Sequence, residues 1–359
     1  MKGEVVFPCE DNATIISKTE ALLEERLARR QEFGLQVPND FNFKMHLFGT
    51  SLANASPENN TISLFLFNLS MGHWKTKEEA SLAQYAADLQ QEIANLMPYS
   101  SVVSEYATKL LFSSDINATM KELEEGLVNM GLRPDTLRYF HNNAPIYSRA
   151  LSNNAFIAAF NRIYPTVELK DKGTLDHEID HLERFQNPDY QKYLASHRQY
   201  YQTKEQKHAL DVLKQWSQLD PDLEIRARFV QGVLTGNTDL KAIKDDALSI
   251  YWRSYVNGTN LEHMAQLCCF SHGYGNTKGI KSGSYSWVMS HALSGGASTK
   301  YYRNLSGSEI DNYGVEQVLE KELPEWKQRF YNNAVKAANR YEKEFSRRLQ
   351  GDKKKFWVF

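Results

Sequence analysis

Apolar residues along most of this chain recur at the three- and four-residue spacing of amphipathic helices, and only short stretches alternate as strands do. Ile15, Ile16, Ala21, Leu22, Leu27 and Ala28 punctuate a run of Glu and Arg over 14–32, which predicts a charged amphipathic helix. The clearest strand pair is 40–52 and 61–69. Phe43, Met45 and Leu47 share one face of the first, and Ile62, Leu64 and Leu66 share one face of the second. Residues 55–60 read as the turn between them, so the pair is expected to form a β-hairpin. Helices are predicted at 76–97, 100–113, 117–131, 146–162, 189–218, 221–235, 238–256, 260–271 and 307–350, the last kinked near Pro324. The expected class is therefore mainly α (α+β), a helical protein with a small β-sheet. Residues 1–145 are expected to form a helical region with the hairpin, for scaffolding or substrate recognition, and 146–359 a second domain.

Candidate chemistry changes this picture at one stretch. Residues 164–170 are β-rich and read as a strand, 171–173 as a turn, and Thr174 as the N-cap of a helix that Asn187 and Pro188 end. That helix carries His177-Glu178-Ile179-Asp180-His181, the pattern H-E-x-x-H. Side chains four apart lie one above the other on a helix, so His177 and His181 point at a common spot. Glu178 is offset by about 100°. The offset keeps it out of a metal's ligand set and near enough to take a proton from an attacking water.

Two histidines are half a site. The long signature H-E-x-x-H-x-x-G-x-x-H would need a glycine and a histidine further along the helix, at the positions where the chain has Arg184 and Asn187. Downstream, Glu224-Ile225-Arg226-Ala227-Arg228 resembles the E-I-x-A-R block of glutamate-liganded zincin metallopeptidases, and strand, turn and motif helix follow the zincin order. The resemblance covers about residues 174–228. It implies a zincin-like domain with its sheet beside the motif helix, a Zn2+ held by His177, His181 and Glu224, and an endopeptidase acting on a protein or peptide substrate. Asp220 and Pro221 read as cap and first turn of the helix presenting Glu224, with Arg228 one turn on to orient it. His197, Glu205 and His208, on a long polar helix, remain rival third ligands. The hexapeptide His177–Leu182 also resembles peptide deformylases, but their glycine-rich and cysteine-bearing segments are missing upstream.

Composition narrows the rest. The chain has 359 residues, 42% hydrophobic and 24% charged, with net charge −2. These values suit a globular protein and argue against nucleic acid as a general partner. No 18-residue apolar run exists for a membrane span, and the first residues lack the long apolar stretch of a signal peptide. The expected location is cytoplasmic, or secreted without a classical signal, as an effector entering a host cell would be. Three cysteines argue against a disulfide framework. Cys268 or Cys269 with a nearby histidine is a weaker catalytic pattern. Glycines and serines cluster between His272 and Gly296 and suggest a loop that orders on binding, from which His272, Tyr274 and Tyr285 are candidate donors to a substrate oxyanion. The alternative to an enzyme is a non-enzymatic helical binding module in which H-E-x-x-H is accidental.

Overall fold

The computed structural model describes residues 1–7, 12–96 without 50 and 58, scattered positions over 108–125, 153–163, 172–272 without 204 and 205, and 312–356. They form a mainly helical α+β protein with one four-stranded sheet. Two compact units divide the chain, one running to Leu182 and the other beginning at Glu183.

The first unit holds the sheet. Its strands are β1 (Lys2–Val5), β2 (Asn42–His46), β3 (Ala53–Ser56) and β4 (Thr61–Phe65), in the order β1-β2-β4-β3. Here the expected hairpin is corrected. The strands at 40–52 and 61–69 are not joined as a hairpin, since β2 pairs with β4 in parallel. The hairpin is β3–β4, with Asn60 in the left-handed region (φ 50°) at its turn. The alternation in β2 and β4 is real, and both bury Phe43, Met45, Ile62 and Leu64. Parallel pairing needs a crossover, and helix α1 (Asn12–Glu32) makes it between β1 and β2. Beyond β4 come α2 (Leu66–Ser70), α3 (Lys77–Leu96) and α4 (Asn153–Ile163). Phe48, Phe67, Trp74 and Phe156 stack and abut there at centroid distances of 5.3–6.3 Å. The expected helices at 100–113 and 117–131 lie largely outside the described residues. The motif helix is α5 (Lys172–Phe185).

The second unit is built around α7 (Gln206–Leu234), against which α6 (Pro188–Thr203), α8 (Leu240–Ile250), α9 (Leu261–Ser271) and α10 (Asn312–Phe356) pack. Phe229 stacks on Phe345, and Trp216 meets Phe330 edge-on. The helix start expected at Pro221 does not occur, because α7 continues through it. Proline lacks an N–H, so the Ser217 carbonyl one turn back loses its helical donor. Asn333 on α10 supplies one instead, its Nδ2 donating to that carbonyl at 2.8 Å. Asn333→Ala should therefore cost about 1–3 kcal/mol in chemical denaturation. Adding Pro221→Ala, which restores the N–H, should recover part of the loss; equal loss in single and double variants would refute the pairing.

Candidate metal centre

The motif helix starts earlier than its local residues predict. Lys172 and Gly173 belong to α5, so Thr174 lies inside the helix and is not its cap. Tertiary contact overrides the turn signal: Lys172 Nζ reaches Glu25 Oε1 on α1 at 2.8 Å, and Gly173 is buried. The strand expected at 164–170 lies outside the described residues.

His177 and His181 are 5% and 7% exposed, with their Nε2 atoms 3.0 Å apart and their rings nearly perpendicular. Glu178, also buried, accepts a hydrogen bond from the backbone N–H of Ala55 on β3 at 2.7 Å. Because β3 is the sheet's edge, this N–H points away from the ladder and holds the carboxylate in one orientation.

The third face of α5 is the one the sequence reading missed. Asp176 and Asp180 immediately precede the two histidines and are wholly buried. Arg26 donates through Nε (3.0 Å) and Nη2 (2.5 Å) to the two Asp176 carboxylate oxygens. Arg30 donates to Asp180 Oδ1 (2.8 Å), to the Asp176 carbonyl (3.3 Å) and to the Gln36 carbonyl (3.3 Å). Two arginines one turn apart on α1 thus meet two aspartates one turn apart on α5. Burial outweighs the hydrogen bonds and charges of the arginines and holds the Asp176 carboxyl above its ordinary pKa. With Glu178 pinned to β3, these pairs fix the rotation of α5 about its axis. The i,i+4 recurrence in both segments was the available signal.

Glu224 sits in mid-helix on α7, half-buried, and not in the first turn that Pro221 suggested. His177, His181 and Glu224 each offer one ligand atom, and all three atoms lie within 4.8 Å of one another. Two atoms about 2.1 Å from a tetrahedral ion stand roughly 3.4 Å apart. The histidine nitrogens nearly meet that spacing, and the set of two imidazoles and one carboxylate suits a borderline cation such as zinc. These three residues could hold a metal ion. The rivals His197 and His208 are not part of the group, and Glu205 lies outside the described residues.

One turn before Glu224, Asp220 accepts from Tyr251 Oη (2.6 Å), Asn260 Nδ2 (3.0 Å) and Trp216 Nε1 (3.3 Å). Tyr251 opens a π-helical stretch (Tyr251–Thr259) that kinks at Gly258, and Asn260 follows it. Nine residues apart in an unbroken α-helix they would point in opposite directions; the wider turns and the kink together bring them to one carboxylate. Burial, then the Glu224 charge, push the Asp220 carboxyl up despite these donors. The expected helper Arg228 donates to Gln231 Oε1 at 3.3 Å, while Arg226, not singled out beforehand, is the buried cation paired with Glu183 at 2.6 Å.

Of the expected oxyanion donors, His272 lies just after α9 with Nε2 2.6 Å from Glu322 Oε1; Tyr274 and Tyr285 fall outside the described residues. Cys268 and Cys269 are buried free thiols. Burial pushes both up, Cys269 to about 12, the reverse of what a cysteine nucleophile needs. Among the described residues no helix is long and apolar enough to cross a membrane. Compared with family models, curated proteins and solved structures, the chain finds no match.

Proposed function

We propose that this protein is a zinc-dependent endopeptidase resembling the glutamate-liganded zincins, acting on a specific protein substrate. The observation that carries the reading is the convergence of His177, His181 and Glu224 on one spot, with the Glu178 carboxylate held by Ala55 one position along the same helix. His177, His181 and Glu224 would hold the ion, and zinc bound there supplies Lewis acidity toward a peptide carbonyl. Glu178 takes the proton of the attacking water and returns it to the leaving nitrogen. The Ala55 N–H keeps the carboxylate aimed by donating to it. An effector that cleaves one host protein and an intracellular regulator both fit this reading.

The test is to incubate zinc-supplemented protein with a peptide library and a cell extract and to read new N-termini by mass spectrometry. Wild type should produce them. Glu178→Gln should keep the metal and slow cleavage by about 10²–10⁴-fold. A fully active, metal-loaded Glu178→Gln protein would remove Glu178 as the base, and no cleavage by metal-loaded wild type would remove the endopeptidase reading.

A further inference from the structure

Away from the metal ligands, the second unit carries a basic stripe along α10 that the proposed chemistry does not use. Arg329, Lys336, Arg340, Lys343 and Arg347 fall within about 60° of arc on this helix, at 100° per residue. From the first to the last the stripe is about 27 Å long. Three adjoining hollows follow it, of about 410, 370 and 530 Å³, and all are lined by Lys336. The middle one reaches Arg184 at the end of α5, Tyr190 on α6 and Asp222 on α7, two residues before Glu224.

The charges do not cancel. Asp222 accepts from Arg184 at 2.8 Å and is also paired with Arg340, while Tyr341 Oη donates to it at 2.9 Å. Glu344 is paired with Arg348 at 3.0 Å. Those two carboxylates are therefore already neutralised within the fold. Arg329, Lys336, Lys343 and Arg347 then face only Asp189 and Glu325 as further acidic residues lining the hollows. The whole chain carries net charge −2, so this local excess is a placement and not a reflection of composition.

We propose that the basic face of α10 holds an extended acidic polypeptide segment, the part of the protein substrate that selects it for cleavage. Three features favour a polypeptide. The stripe runs along a single helix, and its length fits about eight residues at 3.3 Å each. Side-chain amides (Asn187, Gln218, Asn332, Asn339) stand between the cations and suit backbone N–H and C=O groups. No large apolar side chain lines the two hollows over Glu325–Arg347, so nothing there would insert into a lipid layer. The proposal rests on the peptidase reading for the identity of the ligand as substrate, but the binding itself needs neither metal nor turnover.

The experiment uses the full chain as Glu178→Gln, so that bound peptide is not consumed, and a fluorescent eight-residue Glu/Ser peptide with its Gln/Ser counterpart. The acidic peptide should bind at least tenfold tighter than the Gln form and weaken as salt rises. Lys336→Glu combined with Lys343→Glu and Arg347→Glu should lower its affinity at least tenfold, with circular dichroism and metal content unchanged. Equal affinity in that triple variant would overturn the proposal. So would tighter binding of a 12-nucleotide single-stranded oligonucleotide, or of anionic vesicles, than of the acidic peptide. If the acidic peptide binds as stated while metal-loaded wild type cleaves nothing, the binding face stands and the peptidase reading falls.

Discussion

Protein purified without a His tag carries about one zinc per chain, and His181→Ala carries none: this is the expected result of elemental analysis. The reason lies in ligand number. A catalytic zinc site has three protein ligands and leaves the fourth position to water or substrate. Here the three atoms within 4.8 Å of one another are one each from His177, His181 and Glu224. Removing one leaves two protein ligands, too few to outcompete water and chelators during purification. The fold should survive, because His181 is not among the groups that pair α5 with α1. Unchanged far-ultraviolet circular dichroism in the variant would show this. Glu224→Gln should also fall below one equivalent, since it exchanges an anionic ligand for a weak neutral one. Acid should release the ion from wild type as the imidazoles take up protons. Wild type that stays metal-free after zinc is supplied would remove the metal centre and leave the non-enzymatic binding module as the better reading.

Arg30→Ala should destabilise the protein by about 3–5 kcal/mol, a large part of what a domain of ordinary stability has. Arg30 is fully buried and so is its partner Asp180. Truncating the arginine takes a charged donor from a wholly buried carboxylate and also strips a donor from the Asp176 and Gln36 carbonyls. Taking both ions of such a pair out of water offsets their attraction, so the pair adds little net stability of its own. Replacing both partners, Arg30→Met with Asp180→Leu, should therefore cost far less than Arg30→Ala alone. Denaturant midpoints for the two variants decide the matter. An unchanged midpoint in Arg30→Ala would contradict the buried pairing, and equal losses in the two would show that the ions stabilise on their own account. These four charged side chains specify how α5 is rotated, and with it where His177 and His181 point.

Local pattern was a good guide wherever one element settles its own form. Residues 14–32 alternate charge and apolar positions at helical spacing and do form α1; Phe43, Met45, Ile62 and Leu64 alternate and do lie in strands. It failed where a distant group intervenes. Pro221 normally opens a helix, yet α7 runs through it because Asn333, 116 positions downstream of Ser217, satisfies the carbonyl that proline orphans. Thr174 normally caps, yet Lys172 is drawn into the helix by Glu25. Strand pairing was likewise open, since alternation says which face is buried but not which neighbour lies alongside.

By itself, then, the sequence determined the mainly helical class and the candidates His177, Glu178 and His181, because helical periodicity and short-range spacing are written within a few residues; Glu224 became a candidate through the resemblance of its segment to a zincin block. Only the tertiary structure decided that β2 lies parallel to β4, that Arg26 and Arg30 are buried against Asp176 and Asp180, and that Ala55 aims Glu178. The same holds for the grouping of Glu224, and not His197 or His208, with the two histidines as residues that could hold an ion. Each of these depends on residues tens to more than a hundred positions apart. Their encounter is set by packing of whole elements, and no local pattern of hydrophobic and polar positions encodes it.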